Sequence, residues 1–146
     1  MRISTKGRYA IRLMIDIGVH GEKFVRLKDI ARRQDISFKY LEQIISNLQK
    51  AGLLLSSRGA HGGYKLIKEP GEYTVGEILR ATEGKVSSVA CLEDEVNQCL
   101  RYEQCATVKL WEGLNDVIND YLDQHTLAEL VEKEKLNQQA TIEYSI

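Results

Sequence analysis

Residues 36–66, ISFKYLEQIISNLQKAGLLLSSRGAHGGYKL, restrict the fold more than any other stretch of the chain. Leu41, Ile44, Ile45 and Leu48 recur at helical spacing, so one face of a helix is apolar. Ser37 stands where an N-cap belongs, and Gly52 where a C′ glycine belongs. Two short strands follow at once, LLLSS at 53–57 and YKLI at 64–67, joined by the glycine-rich tip RGAHGG. A helix that runs straight into a hairpin needs further apolar helices to cover it.

Those helices are upstream. RYAIRLMIDIGVHG places Ala10, Leu13, Met14 and Ile17 on one face and stops at His20-Gly21. FVRL (24–27) is a short strand candidate. LKDIARRQ (27–34) is a short helix with Ile30 and Ala31 inward, and DIS (35–37) is a tight turn. The order helix, helix, turn, helix, hairpin is a winged helix-turn-helix, mainly α with a two-stranded wing.

Downstream, TVGEILRATEG opens with a Thr74-to-Glu77 capping box and forms another helix. Periodicity is lost over 84–104. A long helix then runs from about 106 to about 124, with an apolar stripe of Leu110, Trp111, Leu114, Val117, Ile118, Tyr121 and Leu122. A Thr126-to-Glu129 box starts a short last helix, and NQQATIEYSI reads as a mobile polar tail. The expected division is therefore a winged helix-turn-helix domain at 1–83, with its helix-turn-helix at about 27–51 and its wing at about 53–67. A cysteine-containing loop follows at 84–105, then a long helix and terminal helix at 106–136, and a flexible tail at 137–146.

Charge divides the chain in the same way. Residues 1–68 hold 14 Lys and Arg against 5 Asp and Glu; residues 69–146 hold 6 against 16. The basic half suits an anionic partner, and the acidic half does not. With no apolar run near ~20 residues and no signal-peptide pattern in MRISTKGRYA, a cytoplasmic chain without a membrane partner is expected. Catalytic motifs such as Gly-x-Ser-x-Gly, a Walker loop or His-Glu-x-x-His are absent, so no enzyme is expected.

The second helix of the pair would enter a major groove of about 12 Å width. Its exposed first turns offer Phe38, Lys39, Tyr40, Glu42 and Gln43. Gln43 can pair with adenine, Glu42 can accept from the cytosine amino group, and Lys39 and Tyr40 can reach phosphates. Arg58 at the wing tip suits a narrow minor groove. Gly59 permits a close backbone approach, and His61 is read as facing DNA. The bland alternative is a solvated surface helix. For the long stripe the bland alternative is core, against pairing with a second copy in an isologous dimer.

All three cysteines, Cys91, Cys99 and Cys105, lie in the loop. An odd number in a reducing compartment points to metal or redox chemistry. Iron–sulfur ligation, zinc, a thiol switch and three structural cysteines all stay open on spacing alone. The neighbours Glu93, Asp94, Glu95 and Glu103 are expected to raise thiol pKa values, which disfavours the switch.

Four stretches carry a family resemblance: MRISTKGRYAIRLMIDI, ISFKYLEQIISNLQKAGLL, SSRGAHGGYKL and TVGEILRATEG. They resemble the bacterial Rrf-two family of winged helix-turn-helix transcription regulators, and within it the IscR-like iron–sulfur cluster regulators. The likeness covers nearly all of residues 1–135. It implies a homodimeric repressor or activator on a palindromic DNA operator. It also implies a 2Fe-2S cluster on Cys91, Cys99 and Cys105, control of iron–sulfur cluster biogenesis genes, and cluster-assembly proteins as candidate partners. Two departures stand out. The cysteine gaps are seven and five residues, where the family commonly has five and five. The family's fourth-ligand positions hold Val108 and Arg8 here. The fourth ligand is thus unknown, with Glu93, Asp94, Glu95, Glu103, His20, His61 and His125 as the donors to choose from. LEDE (92–95) and the terminal IEYSI also resemble the family's cysteine-metabolism regulators, which work with cysteine synthase. That alternative is a thiol-, redox- or nitric-oxide-responsive repressor without a cluster, in which Ile146 would dock in a partner's pocket.

Overall fold

The computed structural model describes residues 2–145. Its elements are α1 (Thr5–Val19), α2 (Leu27–Gln34), α3 (Phe38–Lys50), β1 (Leu54–Ser57), β2 (Gly63–Leu66), α4 (Val75–Glu83), α5 (Val108–Gln124) and α6 (Leu127–Ser145). Single 3-10 turns lie at Pro70–Glu72, Ala90–Leu92 and Tyr102–Gln104.

Caps set the helix ends. Ser4 starts α1 by accepting from the Gly7 amide at 3.0 Å, three residues earlier than the apolar pattern alone suggests. Ser37 starts α3 through the Tyr40 amide, and Thr74 starts α4 through the Glu77 amide, each at 3.0 Å. The α2–α3 turn depends on Asp35, whose φ of 53° is the one positive value outside glycine among the described residues. Asp tolerates that conformation better than most residues do.

The core is one cluster. Ala10, Leu13, Met14 and Ile17 of α1 meet Ile30 of α2, Leu41, Ile44, Ile45 and Leu48 of α3, and Ile78 of α4. Leu127 and Val131 of α6 close it from the α1 side, over Gly18, where a Cβ would come within 2.7 Å of Val131. One charge is buried with them. Asp16 accepts from Arg33 at 2.7 and 3.1 Å and from Gln34 at 3.0 Å, so α1 and the end of α2 are locked by a satisfied ion pair.

β1 and β2 form an antiparallel pair from Leu54 opposite Leu66 to Ser57 opposite Gly63. The strand expected at 24–27 is reduced to a single bridge, Val25 against Tyr64, with bonds of 2.8 and 2.9 Å. Gly63 makes this approach possible: its φ is 144°, and a Cβ there would lie 2.4 Å from the Val25 carbonyl oxygen.

Two elements differ from the sequence expectation. The last helix is not short: α6 runs nineteen residues, through most of the stretch read as a tail. Its second half lacks an apolar stripe, so periodicity gave no signal for it. Ile146 lies outside the described residues. The α5 stripe also divides. Trp111, Ile118 and Leu122 are half-buried, while Leu110, Leu114, Val117 and Tyr121 are exposed.

Candidate nucleic-acid interface and cysteine loop

The buried face of α3 leaves Phe38, Lys39, Glu42, Gln43 and Ser46 pointing outward from the domain. Lys39, Glu42 and Gln43 make no side-chain hydrogen bond or ion pair among the described residues. They are free to meet a partner. Tyr40 is different: its ring stands edge-on to Tyr9 at 5.7 Å and is half-buried, so it also seats α3 against α1.

The wing tip presents Arg58, Gly59 and His61, all exposed. Gly59 has φ 99°, and a Cβ on Gly62 would lie 2.3 Å from the Ser57 carbonyl oxygen, so the tip needs glycine at both places. The Arg26 guanidinium, just before α2, donates to the Ala60 carbonyl and ties the tip to the helix-turn-helix. Arg26 was not singled out from sequence, because one arginine among many in a basic half carries no signal. Recognition helix and wing together form one surface with cations and hydrogen-bonding groups outward, the arrangement that positions on phosphates and reads base edges.

The cysteine loop is built differently. Val86 is its one buried apolar residue, while Val96 and Leu100 are exposed. Side chains hold it instead. Asn115 of α5 accepts from the Ser88 amide at 2.6 Å, and Asn119 donates to the Val86 carbonyl at 3.1 Å. Tyr102 donates to Glu112 at 2.8 Å. Arg80 of α4 reaches Asn119 at 3.1 Å and pairs with Asp123, tying α5 back to the DNA-binding domain. Two asparagines four apart inside a helix are poor helix formers, and that was the available sequence signal for the anchor.

Cys91 and Cys99 are exposed and Cys105 is half-exposed, all as free thiols. Among the described residues, no three His, Cys, Asp or Glu side chains come close enough to hold one metal ion. Thiolates suit an iron–sulfur cluster in kind, and the three are open to a ligand, but they do not converge on a single-ion site. None of the candidate fourth donors completes one: His20 bonds the Asp16 carbonyl at 2.7 Å, and His125 bonds Glu129 at 2.9 Å. The expectation that acidic neighbours raise the thiol pKa values fails for Cys105. Its thiol is pushed down, first by the Thr107 hydroxyl at 3.4 Å, then by the amides of Thr107 and Val108 at the start of α5 and by Arg101.

No helix among the described residues is long and apolar enough to cross a membrane. A winged helix-turn-helix with an outward-facing polar recognition helix defines a DNA-binding regulator. Comparison with known proteins gives the lineage. Residues 3–133 match the Rrf2 family, described as "Iron-dependent Transcriptional regulator", and the chain belongs to that family. It is 44% identical to the HTH-type transcriptional regulator IscR of Pectobacterium atrosepticum, over 94% of this chain and 84% of that protein. It is 42% identical to the HTH-type transcriptional regulator CymR of Bacillus subtilis, over 99% of both. Among solved structures, CymR, the global cysteine regulator of B. subtilis, superposes with a TM-score of 0.74 at 41% identity, over 91% of this chain and 98% of that one. T. potens IscR superposes with a TM-score of 0.73 at 39% identity, over 94% and 91%.

Proposed function

We propose that the protein is a homodimeric transcription regulator that reads a palindromic operator in the cytoplasm and takes its signal at the cysteine loop. We further propose that the signal is a 2Fe-2S cluster on Cys91, Cys99 and Cys105, controlling genes of cluster supply. The observation that carries this reading is the placement of all three thiols, open to a ligand, on an irregular segment that leads directly into α5.

Leu110, Leu114, Val117 and Tyr121 of α5 are spaced four, three and four apart, the repeat of a helix-pairing seam. Their exposure in the single chain supports pairing with a second copy, which would set two α3 helices at two half-sites. Lys39 would hold phosphate, Glu42 and Gln43 would read bases, and Arg58, Gly59 and His61 would contact DNA from the wing, with Tyr40 both seating α3 and reaching a phosphate. When bound, a cluster would supply a redox-sensitive, anionic group in the loop. Asn115, Asn119 and Arg80 then link the loop's position to α5 and α4, and α4 packs on α1 and α3.

A second reading is a cysteine-metabolism regulator with cysteine synthase as partner. It is favoured by the CymR match, which extends over 99% of both chains. Anaerobic purification separates the two readings. A coloured protein with iron and acid-labile sulfide, both lost in Cys99→Ala, meets the first. A colourless protein that resists reconstitution yet binds duplexes selected from a random pool meets the second.

A further inference from the structure

Tyr73 lies between the DNA-binding surface and the α5–α6 corner, and no part of its side chain is exposed. Its hydroxyl donates to the Leu53 carbonyl at 2.7 Å and accepts from the Ile67 amide at 2.9 Å. The Lys68 amide approaches the same oxygen at 3.4 Å. Leu53 immediately precedes β1, and Ile67 immediately follows β2. The last β1–β2 pair at this end is Leu54 with Leu66. The phenol oxygen therefore serves as one more rung beneath the hairpin. Its one donor and both lone pairs are engaged. The Lys68 ammonium sits 4.7 Å above the ring and pairs with Glu77 of α4 at 3.1 Å, which holds the end of β2 against the same side chain.

The Tyr73 backbone faces the other way. Its carbonyl accepts from the Leu127 amide at 2.9 Å, and the next rung pairs the Val75 amide with the His125 carbonyl at 2.9 Å. Thr74 and Thr126 form the bridge between them. The corner where α5 ends and α6 begins is thus attached to the residue whose side chain holds the wing.

We infer that Tyr73 is the positioning residue for the wing, joining both strands at their base and fastening that base to the α5–α6 corner. This rests on the reading of the wing as a DNA contact. The lever is short and stiff. A four-residue strand spans about 13 Å, so a tilt of about 5° at the base moves the tip by about 1 Å. That distance separates a hydrogen bond from none. The Arg26 bond at the tip and the Val25–Tyr64 bridge restrain the hairpin further along; at its base the Leu53 amide also bonds the Leu48 carbonyl at 3.0 Å, and the Tyr73 hydroxyl is the group that joins the two strands there.

Tyr73→Phe tests this, because it keeps the ring and removes only the oxygen. The Leu53 carbonyl and the Ile67 amide then lose a buried partner. DNA affinity is measured on a duplex selected from a random pool by the native protein, for native, Tyr73→Phe, Arg58→Ala and the double variant, well below each melting temperature. Arg58→Ala weakens native binding by about tenfold; in the Tyr73→Phe background it costs about twofold. The same factor in both backgrounds overturns the positioning role. No effect of Arg58→Ala in the native background instead removes the wing contact itself, and the proposal falls with it. Amide exchange gives an independent reading: Leu55, the first ladder amide above the base, and Ile67 lose protection in Tyr73→Phe while Leu41 and Ile44 keep theirs. Unchanged protection at Leu55 and Ile67 contradicts the inference whether or not DNA binding changes.

Discussion

The helix-turn-helix and the cysteine loop are held by opposite means. In the first, ten core side chains from α1 to α4 pack into one cluster with a locked Asp16–Arg33 pair beneath. In the second, one apolar residue is buried, and position is kept by asparagine, serine and tyrosine hydrogen bonds to α5. Burial fixes the reading surface before any partner arrives. The loop has shallow restraints, so a bound ligand can displace it at modest cost. That division suits the proposed function, in which the part that reads DNA stays constant while the part proposed to sense is free to change.

The sharpest way to break the contrast is substitution of core against loop. Leu48→Ala, at a fully buried position, should destabilise by about 2–5 kcal/mol. Arg33→Ala leaves the Asp16 carboxylate with Gln34 as its remaining side-chain donor and should cost about 1.5–3 kcal/mol. Leu100→Ala, on a fully exposed side chain, should leave the thermal midpoint unchanged. A comparable loss from all three in denaturant melts would erase the distinction.

Within the reading surface, Glu42→Ala should relax sequence preference by about 1–3 kcal/mol at one base pair without unfolding the protein. Unaltered preference on a panel of sites removes Glu42 from readout. Arg58→Ala should lower the salt slope of binding by about one for each phosphate the side chain neutralises; a slope equal to native contradicts the wing's role on DNA.

The smallest effect concerns the loop latch. The Glu112 carboxyl is held below its ordinary pKa, first by Lys109 and then by the Tyr102 hydroxyl. A depressed carboxyl contributes above its unfolded value and loses that contribution as pH falls through the folded one. The latch should therefore weaken only as pH falls below the ordinary carboxylate range. Tyr102→Phe should release it at neutral pH, seen as faster amide exchange at Cys105 with α3 unaffected.

How much of this was legible follows the same division. The face Leu41, Ile44, Ile45 and Leu48, the Ser37 cap and the Gly52 stop are local patterns, and they placed α3 to the residue. The outward placement of Lys39, Glu42 and Gln43 follows once the buried face is known. The second half of α6 has no apolar stripe and read as a tail. Arg26 meeting Ala60, Tyr73 meeting Leu53 and Asn119 meeting Val86 are pairings across 34, 20 and 33 residues, which no local period encodes. Cys105 misled for a related reason: the nearby carboxylates are visible in sequence, but the Thr107 hydroxyl and the first amides of α5 act only once the helix has formed.

The central claim is that a stable reading surface answers to a separable loop. Its most direct test is the affinity and site preference of native protein, purified without oxygen, against a variant carrying Cys91→Ala, Cys99→Ala and Cys105→Ala. The account predicts equal thermal midpoints for the winged domain and a change of at least about fivefold in operator affinity, or a switch in preferred site. Identical affinity and identical site preference in the two proteins would contradict it.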